Sequence, residues 1–339
     1  MKNFFKKTSL AIMGLLLVIG LSSCSSGESE KNTTNEKAAS EATDEKKEAK
    51  DMNFVIVPKV VAAWFDEVNK GAQQQADLLS KQLGVKVTID YRAPENADVA
   101  EQNRVLEQAA ATNPAGIAVD PVDYEGSKAI IEQIREQGIP VVIFDAIAPE
   151  DSGLTSIGND FSVQAIKGAE ILVDALGKKG TIAIMQGVPS APNHNQRYEA
   201  YKEYLSQFPD IKVIDAGLGN DSVEESKQQA SAILASNPDI NGFLMCDASA
   251  PVGIATAVEE AGKTGKITIV GLENLSDILA LVKEGKILAT SCTRPYIQGS
   301  NAVLMLWQKY NGIDTPKFVD TGIDIVNKDN VDEWIEIMK

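Results

Sequence analysis

Histidine is almost missing from this chain: His194 is the only one in 339 residues. A histidine cluster for a metal is therefore excluded, and any catalytic triad would rest on that one imidazole. Cysteine is nearly as scarce. Cys24, Cys246 and Cys292 are the full set, which makes no disulfide framework. Cys246 and Cys292 each stand near the end of an apolar strand-like run and read as small buried hydrophobes. No Gly-x-Ser-x-Gly elbow, no Gly-x-x-x-x-Gly-Lys-Ser/Thr loop, no Gly-x-Gly-x-x-Gly after the first strand-like run and no Asp-x-Asp-x-Asp-Gly calcium loop occurs. These absences remove the usual signatures of Ser-elbow hydrolases, P-loop nucleotide hydrolysis, dinucleotide binding and EF-hand calcium binding. Positive charge is also in deficit, with a net charge of -16. Such a surface argues against nucleic acid as a partner and against polybasic docking on anionic lipid.

The chain begins with a basic segment carrying Lys2, Lys6 and Lys7, then an uncharged apolar run from Leu10 to Leu21, then Ser22-Ser23-Cys24. A basic start, a short apolar stretch and small residues before a cut make a secretory signal. The run falls short of the roughly 20 apolar residues that a spanning helix needs. Leu21-Ser22-Ser23-Cys24 resembles the bacterial lipobox, which implies that Cys24 is lipidated and becomes the first mature residue. The 27 residues from Ser25 to Asp51 are almost all Ser, Thr, Asn, Glu, Lys and Ala, with no aromatic residue. They bury too little surface to offset their ordering entropy, and read as a flexible tether. The three leader lysines cancel the net -3 of this tail, so residues 52–339 carry the whole -16 themselves. Those 288 residues are long for one core and suit two lobes.

Strand-like and helical patterns alternate along the folded part. Apolar runs stand at 53–57, 85–91, 116–119, 140–144 and 155–157, with helical spacing over 63–83, 99–111 and 125–137 between them. The pattern then restarts. Strands are predicted at 181–185, 212–215, 242–245, 268–270 and 287–291, with helices at 160–176, 196–208, 222–236, 252–261 and 277–283. Alternation of this kind predicts an α/β fold with parallel sheets covered on both faces, here two Rossmann-like lobes. An internal echo supports the doubling. Asn113-Pro114 leads into a run ending at Asp120, and Asn237-Pro238 into one ending at Asp247. The next strand ends in an acid in both cases, Asp145 and Glu273.

Open α/β sheets bind ligands beyond the carboxyl ends of their strands. At those ends stand Asp120, Asp145, Asn159, Cys246, Asp247, Glu273, Asn274, Thr293 and Arg294, with Trp64 and Phe65 after the first strand. Carboxylates and amides bind hydroxyls, and aromatic faces cover the C–H face of a sugar ring, so the mixture suits a polyol. Each residue alone also has a plainer use, since Asp or Asn at a strand end often caps the next helix. An acid-pair glycosidase stays open at this level, because carboxylates are abundant.

The distributed marks resemble the type I periplasmic substrate-binding proteins of bacterial sugar importers, the ribose-binding group. They are Val55-Ile56-Val57-Pro58-Lys59 with Trp64-Phe65, Gly71-Ala72, Gly116-Ile117-Ala118-Val119-Asp120-Pro121, Gly138-Ile139-Pro140 leading to Asp145, and Ile157-Gly158-Asn159-Asp160. In the second half they are Arg197 before Tyr201, Asn237-Pro238-Asp239, Asp247, and Val270-Gly271 before Glu273. The resemblance implies two lobes joined by a three-crossover hinge near 158–160, 291–294 and 319–323. The N-terminal lobe is then 52–158 plus 294–322 and the C-terminal lobe 159–293 plus 323–339, after a signal at 1–23 and a lipidated tether at 24–51. It also implies a site of Lys59, Trp64, Phe65, Asp120, Asp145, Asn159, Asn193, His194, Arg197, Cys246, Asp247, Glu273 and Thr293. Trp64 and Phe65 match the family's stacking pair, Asp145 its carboxylate for ring hydroxyls and Arg197 its second-lobe arginine. The implied protein is no enzyme, uses no cofactor or metal, and is a monomer anchored outside the cell membrane. Its partners are a monosaccharide or polyol and an ABC permease.

The chain departs from the family at Ala62-Ala63, Ala146 and Cys246, which argues against ribose itself; Asn193 and His194, in the following loop, are placed to compensate. Pro58-Lys59-Val60-Val61 and Asn195-Gln196 also resemble autoinducer-2 binding proteins, but Asn193 and Arg197 do not fit that pattern. A sensory accessory of a membrane receptor or kinase would use the same fold.

Overall fold

The computed structural model describes residues 50–337. The expected leader, the Cys24 lipidation site and all but the last two residues of the expected tether lie outside the described residues. The first half runs β1 (Met52–Val57), α1 (Ala63–Leu83), β2 (Val87–Tyr91), α2 (Val99–Ala110), β3 (Gly116–Val119), α3 (Tyr124–Glu136), β4 (Val141–Phe144) and β5 (Thr155–Gly158). The second runs α4 (Phe161–Ala175), β6 (Gly180–Gln186), α5 (Pro192–Leu205), β7 (Ile211–Leu218), α6 (Val223–Ser236), β8 (Ile240–Met245), α7 (Ala250–Glu260), β9 (Thr268–Leu272), α8 (Ser276–Lys283) and β10 (Ala289–Cys292). The chain closes with α9 (Pro295–Tyr310), β11 (Phe318–Asp320), β12 (Asp324–Asn327) and α10 (Val331–Ile337).

Two six-stranded sheets result, ordered β2-β1-β3-β4-β5-β11 and β7-β6-β8-β9-β10-β12. The second repeats the first, strand for strand. Pairing is parallel except for β12, which runs antiparallel to β10. Strands β3 and β4 are buried at every position, which is why they read as unbroken apolar runs. One face of the first sheet packs α1 and α9 around Phe54, Ile56 and Phe144; the other packs α2 and α3 around Val55, Ile117 and Ile131. The second sheet is covered likewise by α6, α7 and α8 on one face and by α4 and α5 on the other. Asp98, Asp123, Asp160 and Ser222 each cap their helix by accepting from the backbone N–H three residues on.

The chain passes between the sheets three times: after β5, after β10, and between β11 and β12. Several sequence expectations need correction. The helix expected from Gln196 starts at Pro192, whose fixed φ suits a first helical turn and which has no N–H to leave unpaired. Asn193 and His194 are therefore helical and buried, not in a loop. Strand β7 extends to Leu218, because an edge strand with exposed positions shows only a short apolar run. The sequence pattern predicts neither helices α9 and α10 nor strands β11 and β12. The remaining boundaries shift by no more than two residues.

α1 and α9 cross closely at glycines. A methyl on Gly71 would lie 1.9 Å from the Tyr296 carbonyl oxygen, and one on Gly299 1.9 Å from that of Val68. Gly71→Ala therefore forces the helices apart and destabilises the protein by about 1–3 kcal/mol. Urea unfolding checks this: the midpoint falls at constant slope, whereas an unchanged midpoint contradicts the close crossing.

Candidate functional site

Both sheets change winding direction between their first and third strands, β1/β3 and β6/β8, and such switch points open a crevice at the carboxyl ends. In the first lobe that crevice begins with Lys59, in the turn after β1. It is 1% exposed. Its Nζ lies 2.9 Å from Asp120 Oδ2, beyond β3, and 3.6 Å from Asp145 Oδ2, beyond β4. Burial alone would depress the ammonium pKa, but the Asp120, Asp221 and Asp145 carboxylates outweigh it and keep Lys59 charged. Gln102 of α2 fixes the turn by donating to the Pro58 and Asp120 carbonyls and accepting from the Val122 N–H. Trp64 and Phe65 start α1, edge to face at 5.1 Å, and Lys59 Nζ sits 5.4 Å over the Phe65 ring.

The second lobe supplies the facing wall. α5 carries Asn193, His194 and Arg197 on its first turns, all buried. Arg197 Nε donates to Gln164 Oε1 at 2.9 Å and Nη1 to the Cys246 carbonyl at 3.1 Å. Its guanidinium stacks 4.7 Å over Phe161 and approaches Glu273 Oε1 at 3.9 Å. Glu273 Oε1 also accepts from Gln164 Nε2, and Oε2 accepts from the Thr293 N–H and hydroxyl. Thr293, in the second crossover, accepts in turn from Trp64 Nε1 at 3.2 Å. His194 Nδ1 accepts from the Val188 N–H at 2.8 Å. Burial, with Lys59 and Arg197 nearby, pushes its pKa well down. The ring is therefore neutral, its proton on Nε2, 3.7 Å from Asp221 Oδ2.

Asp145 and Glu273 occupy matching places, each just past the fourth strand of its sheet, and both adopt a left-handed backbone, with φ of 48° and 71°. Such a conformation is strained for a side chain with a Cβ and is kept only where the surroundings fix it. Here the Asp145 N–H donates to the Ile157 carbonyl and Gln298 Oε1. The Glu273 N–H donates to Ser291 and its carbonyl accepts from the Thr290 hydroxyl. Gln298 and Gln164 are themselves a matched pair, each five residues past a crossover residue, Thr293 and Asn159.

The lobes touch across the crevice. Asn193 Nδ2 donates to Asp145 Oδ2 at 2.5 Å, and the Ser190 hydroxyl to the Val122 carbonyl at 3.1 Å. Between them lies a small cavity, with about 310 Å³ of atom-free space. Of the residues expected in the site, Lys59, Trp64, Phe65, Asp145, His194, Arg197 and Glu273 line it. So do Ala62, Asp221, Ala248 and Leu272, which lie outside that expectation. Asp120, Asn159, Asn193, Cys246, Asp247 and Thr293 stand behind this wall. Asp120 pairs with Lys59; Asp247 caps the following turn by accepting from the Ser249 and Ala250 N–H groups; Cys246 contributes its carbonyl. Both Cys246 and Cys292 are free and buried, and burial pushes both thiol pKa values up. Burial also raises the pKa of Asp120, Asp145, Asp221 and Glu273, and pushes Asp247 up to about 7, with the Asp221 charge adding to it. Among the described residues no cluster of His, Cys, Asp and Glu is arranged to hold a metal.

The arrangement gathers acceptors. Asp120 Oδ1, Asp145 Oδ1, Asn159 Oδ1, Asp221 Oδ2 and Asp247 Oδ2 are buried with no hydrogen-bond partner, while the Lys59 and Arg197 donors are engaged by protein groups.

Comparison with known proteins agrees with this geometry. The D-ribose/D-allose-binding protein of Pseudomonas aeruginosa is 26% identical over 58% of this chain, a match spanning 63% of that relative's own length. The D-allose-binding periplasmic protein of Escherichia coli is 26% identical over 75% of this chain and 83% of its own. A solute-binding protein of an ABC transporter from Burkholderia graminis, solved with D-arabinose, superposes with a TM-score of 0.77 at 29% identity. That likeness covers 84% of this chain and 98% of the other. The family model of the periplasmic binding protein domain matches residues 54–314. The chain belongs to the periplasmic binding protein family, and is an extracytoplasmic solute-binding protein, not an enzyme.

Proposed function

We propose that this protein is the substrate-binding component of an ABC importer and that it captures a neutral monosaccharide or related polyol between its two lobes. The observation that carries this reading is the pair of unpartnered acceptors that line the cavity from opposite lobes, Asp145 Oδ1 and Asp221 Oδ2, with Asp120, Asn159 and Asp247 carrying others just behind them. A buried acceptor without a donor costs about 1–3 kcal/mol, and a polyol brings many hydroxyl donors into a small space. Trp64 and Phe65 add apolar surface for a sugar C–H face. Five acids, Asp120, Asp145, Asp221, Asp247 and Glu273, outnumber Lys59 and Arg197 around the cavity, so sugar acids and sugar phosphates are disfavoured. The relatives are named for D-ribose and D-allose and the solved structure holds D-arabinose, which supports the same ligand class.

The importer reading is preferred to a sensory one because the family likeness covers the whole binding fold and the relatives include import proteins. Cys24 would carry the lipid anchor, and the 27 residues beyond it would form the leash. As a flexible coil that leash averages roughly 30 Å, enough to keep a monomeric trap near its permease. Cys24→Ser should shift the protein from the membrane fraction to the soluble one; retention on the membrane would contradict the anchor.

A thermal-shift screen over pentoses, hexoses, deoxysugars, inositols and autoinducer-2 tests the ligand class, since a bound ligand raises the melting temperature by mass action. No shift with any sugar or polyol would contradict it. For the sugar that binds, Asp145→Ala weakens affinity by about 10–100-fold, the value of a hydrogen bond to a charged group. Calorimetry showing unchanged affinity would remove Asp145 from the site.

The cluster also sets a pH signature. With Asp247 at about 7 when folded, the folded state holds a proton that the unfolded chain releases near pH 4. Asp247 therefore loses stability for the fold as the pH rises through about 4 to 7. Asp247→Asn keeps the shape without titrating. Its melting temperature relative to the parent should fall as the pH is lowered from 8 to 5; a constant difference would mean that Asp247 does not titrate in this window.

A further inference from the structure

The cavity is not sealed on every side. At one seam Val122 from the first lobe packs with Val188 and Ala191 from the second in a buried apolar cluster, beside the Ser190–Val122 hydrogen bond. Elsewhere the cavity wall is formed by Ala62 and Ala248, one from each lobe, together with Trp64 and Asp221. These same four residues also line a second, larger groove with about 1350 Å³ of atom-free space, open to solvent. The cavity and the groove thus share one wall, in which the methyls of Ala62 and Ala248 are the thinnest part, beside Trp64 and Asp221.

The groove is apolar on its walls and acidic at its rim. Val61 and Val223 face it from opposite lobes, 64% and 44% exposed, with Val252 and Leu275 beside them. Asp66 and Asp277 stand on the rim, and Lys70 is paired with Glu67 at 2.6 Å. Large aliphatic side chains left in water at the mouth of a polar cavity mark a surface that gains from being covered.

The geometry points to a second subsite in this groove, taking a short uncharged apolar substituent O-linked to the sugar held in the cavity: an alkyl or aryl glycoside rather than only the free sugar. This rests on the sugar-binding reading. The sugar hydroxyls meet the acceptors of the cavity, and the linked group passes between Ala62 and Ala248 to cover Val61 and Val223. The acidic rim disfavours an anionic substituent. The small residues at the portal give this chain room where a bulkier pair would confine it to free sugars.

Calorimetry on the whole protein tests the subsite with D-ribose, D-allose, D-arabinose and D-galactose, each free and as its methyl, ethyl and propyl glycosides of both anomers. For the sugar that binds, one anomeric series should tighten from methyl to propyl by up to about fourfold per covered methylene. Val223→Asp should abolish that gain and leave the free sugar's affinity unchanged. The substitution suits the fold, because an acid is favourable in the first turn of α6; if it does not fold, Val61→Asp on the other lobe serves the same purpose. Free sugar bound with every glycoside rejected, or a series with no gain, or a gain that survives a folded Val223→Asp or Val61→Asp, overturns the subsite and leaves the sugar-binding reading standing. Failure of every free sugar and every glycoside to bind overturns that reading and the subsite with it.

Discussion

Asp145 is the point on which the two lobes and the site converge. Its backbone is fixed in a left-handed turn by Ile157 and Gln298, its Oδ2 is shared by Lys59 and by Asn193 of the opposite lobe, and its Oδ1 is buried without a partner. A carboxylate buried this deeply loses several kcal/mol of hydration and is kept ionised only by close cations and donors. That demand explains Lys59, which in turn requires Asp120, and Asp120 requires the turn that Gln102 pins. Much of the first lobe's binding edge follows from keeping one carboxylate charged in a dry place.

The second lobe solves the same problem with the same topology and different residues. Glu273 stands where Asp145 stands, Arg197 neutralises it in place of Lys59, and Gln164 supports it as Gln298 supports Asp145. The two solutions are linked through Thr293, which joins Glu273 to Trp64 from inside the hinge. A movement of one lobe against the other must therefore disturb the Trp64–Thr293 and Asn193–Asp145 bonds. Ligand can favour the closed arrangement only by its differential affinity for it; hydroxyls that bridge acceptors of both lobes supply such a difference, and hydroxyls held by one lobe alone do not.

Much of this was legible before any coordinates. Buried parallel strands are unbroken apolar runs, so β1, β3, β4, β8 and β9 announced themselves, and the acids closing them gave Asp120, Asp145, Asp247 and Glu273. What escaped had a physical reason. Asp221 follows an edge strand half exposed to solvent and adopts a left-handed turn with Asn220, so no apolar run leads up to it. Gln164 and Gln298 lie inside helices, where a polar residue normally reads as solvent-facing, and only the crossover turns them inward. The pattern puts Asn193 and His194 in a loop, because α5 has little apolar periodicity and opens on a proline. Position at a strand end does not separate residues that touch the cavity from those that hold them: it marks Asp120, Asp247 and Thr293 equally, and the structure places them one step behind.

On the proposed function, the site is completed when the lobes come together on a sugar. Small-angle X-ray scattering of the free protein and of the protein saturated with a sugar identified by thermal shift tests it most directly. Sugar binding should give a smaller radius of gyration, reversed when the sugar is removed. A bound sugar that leaves the radius of gyration unchanged would contradict it.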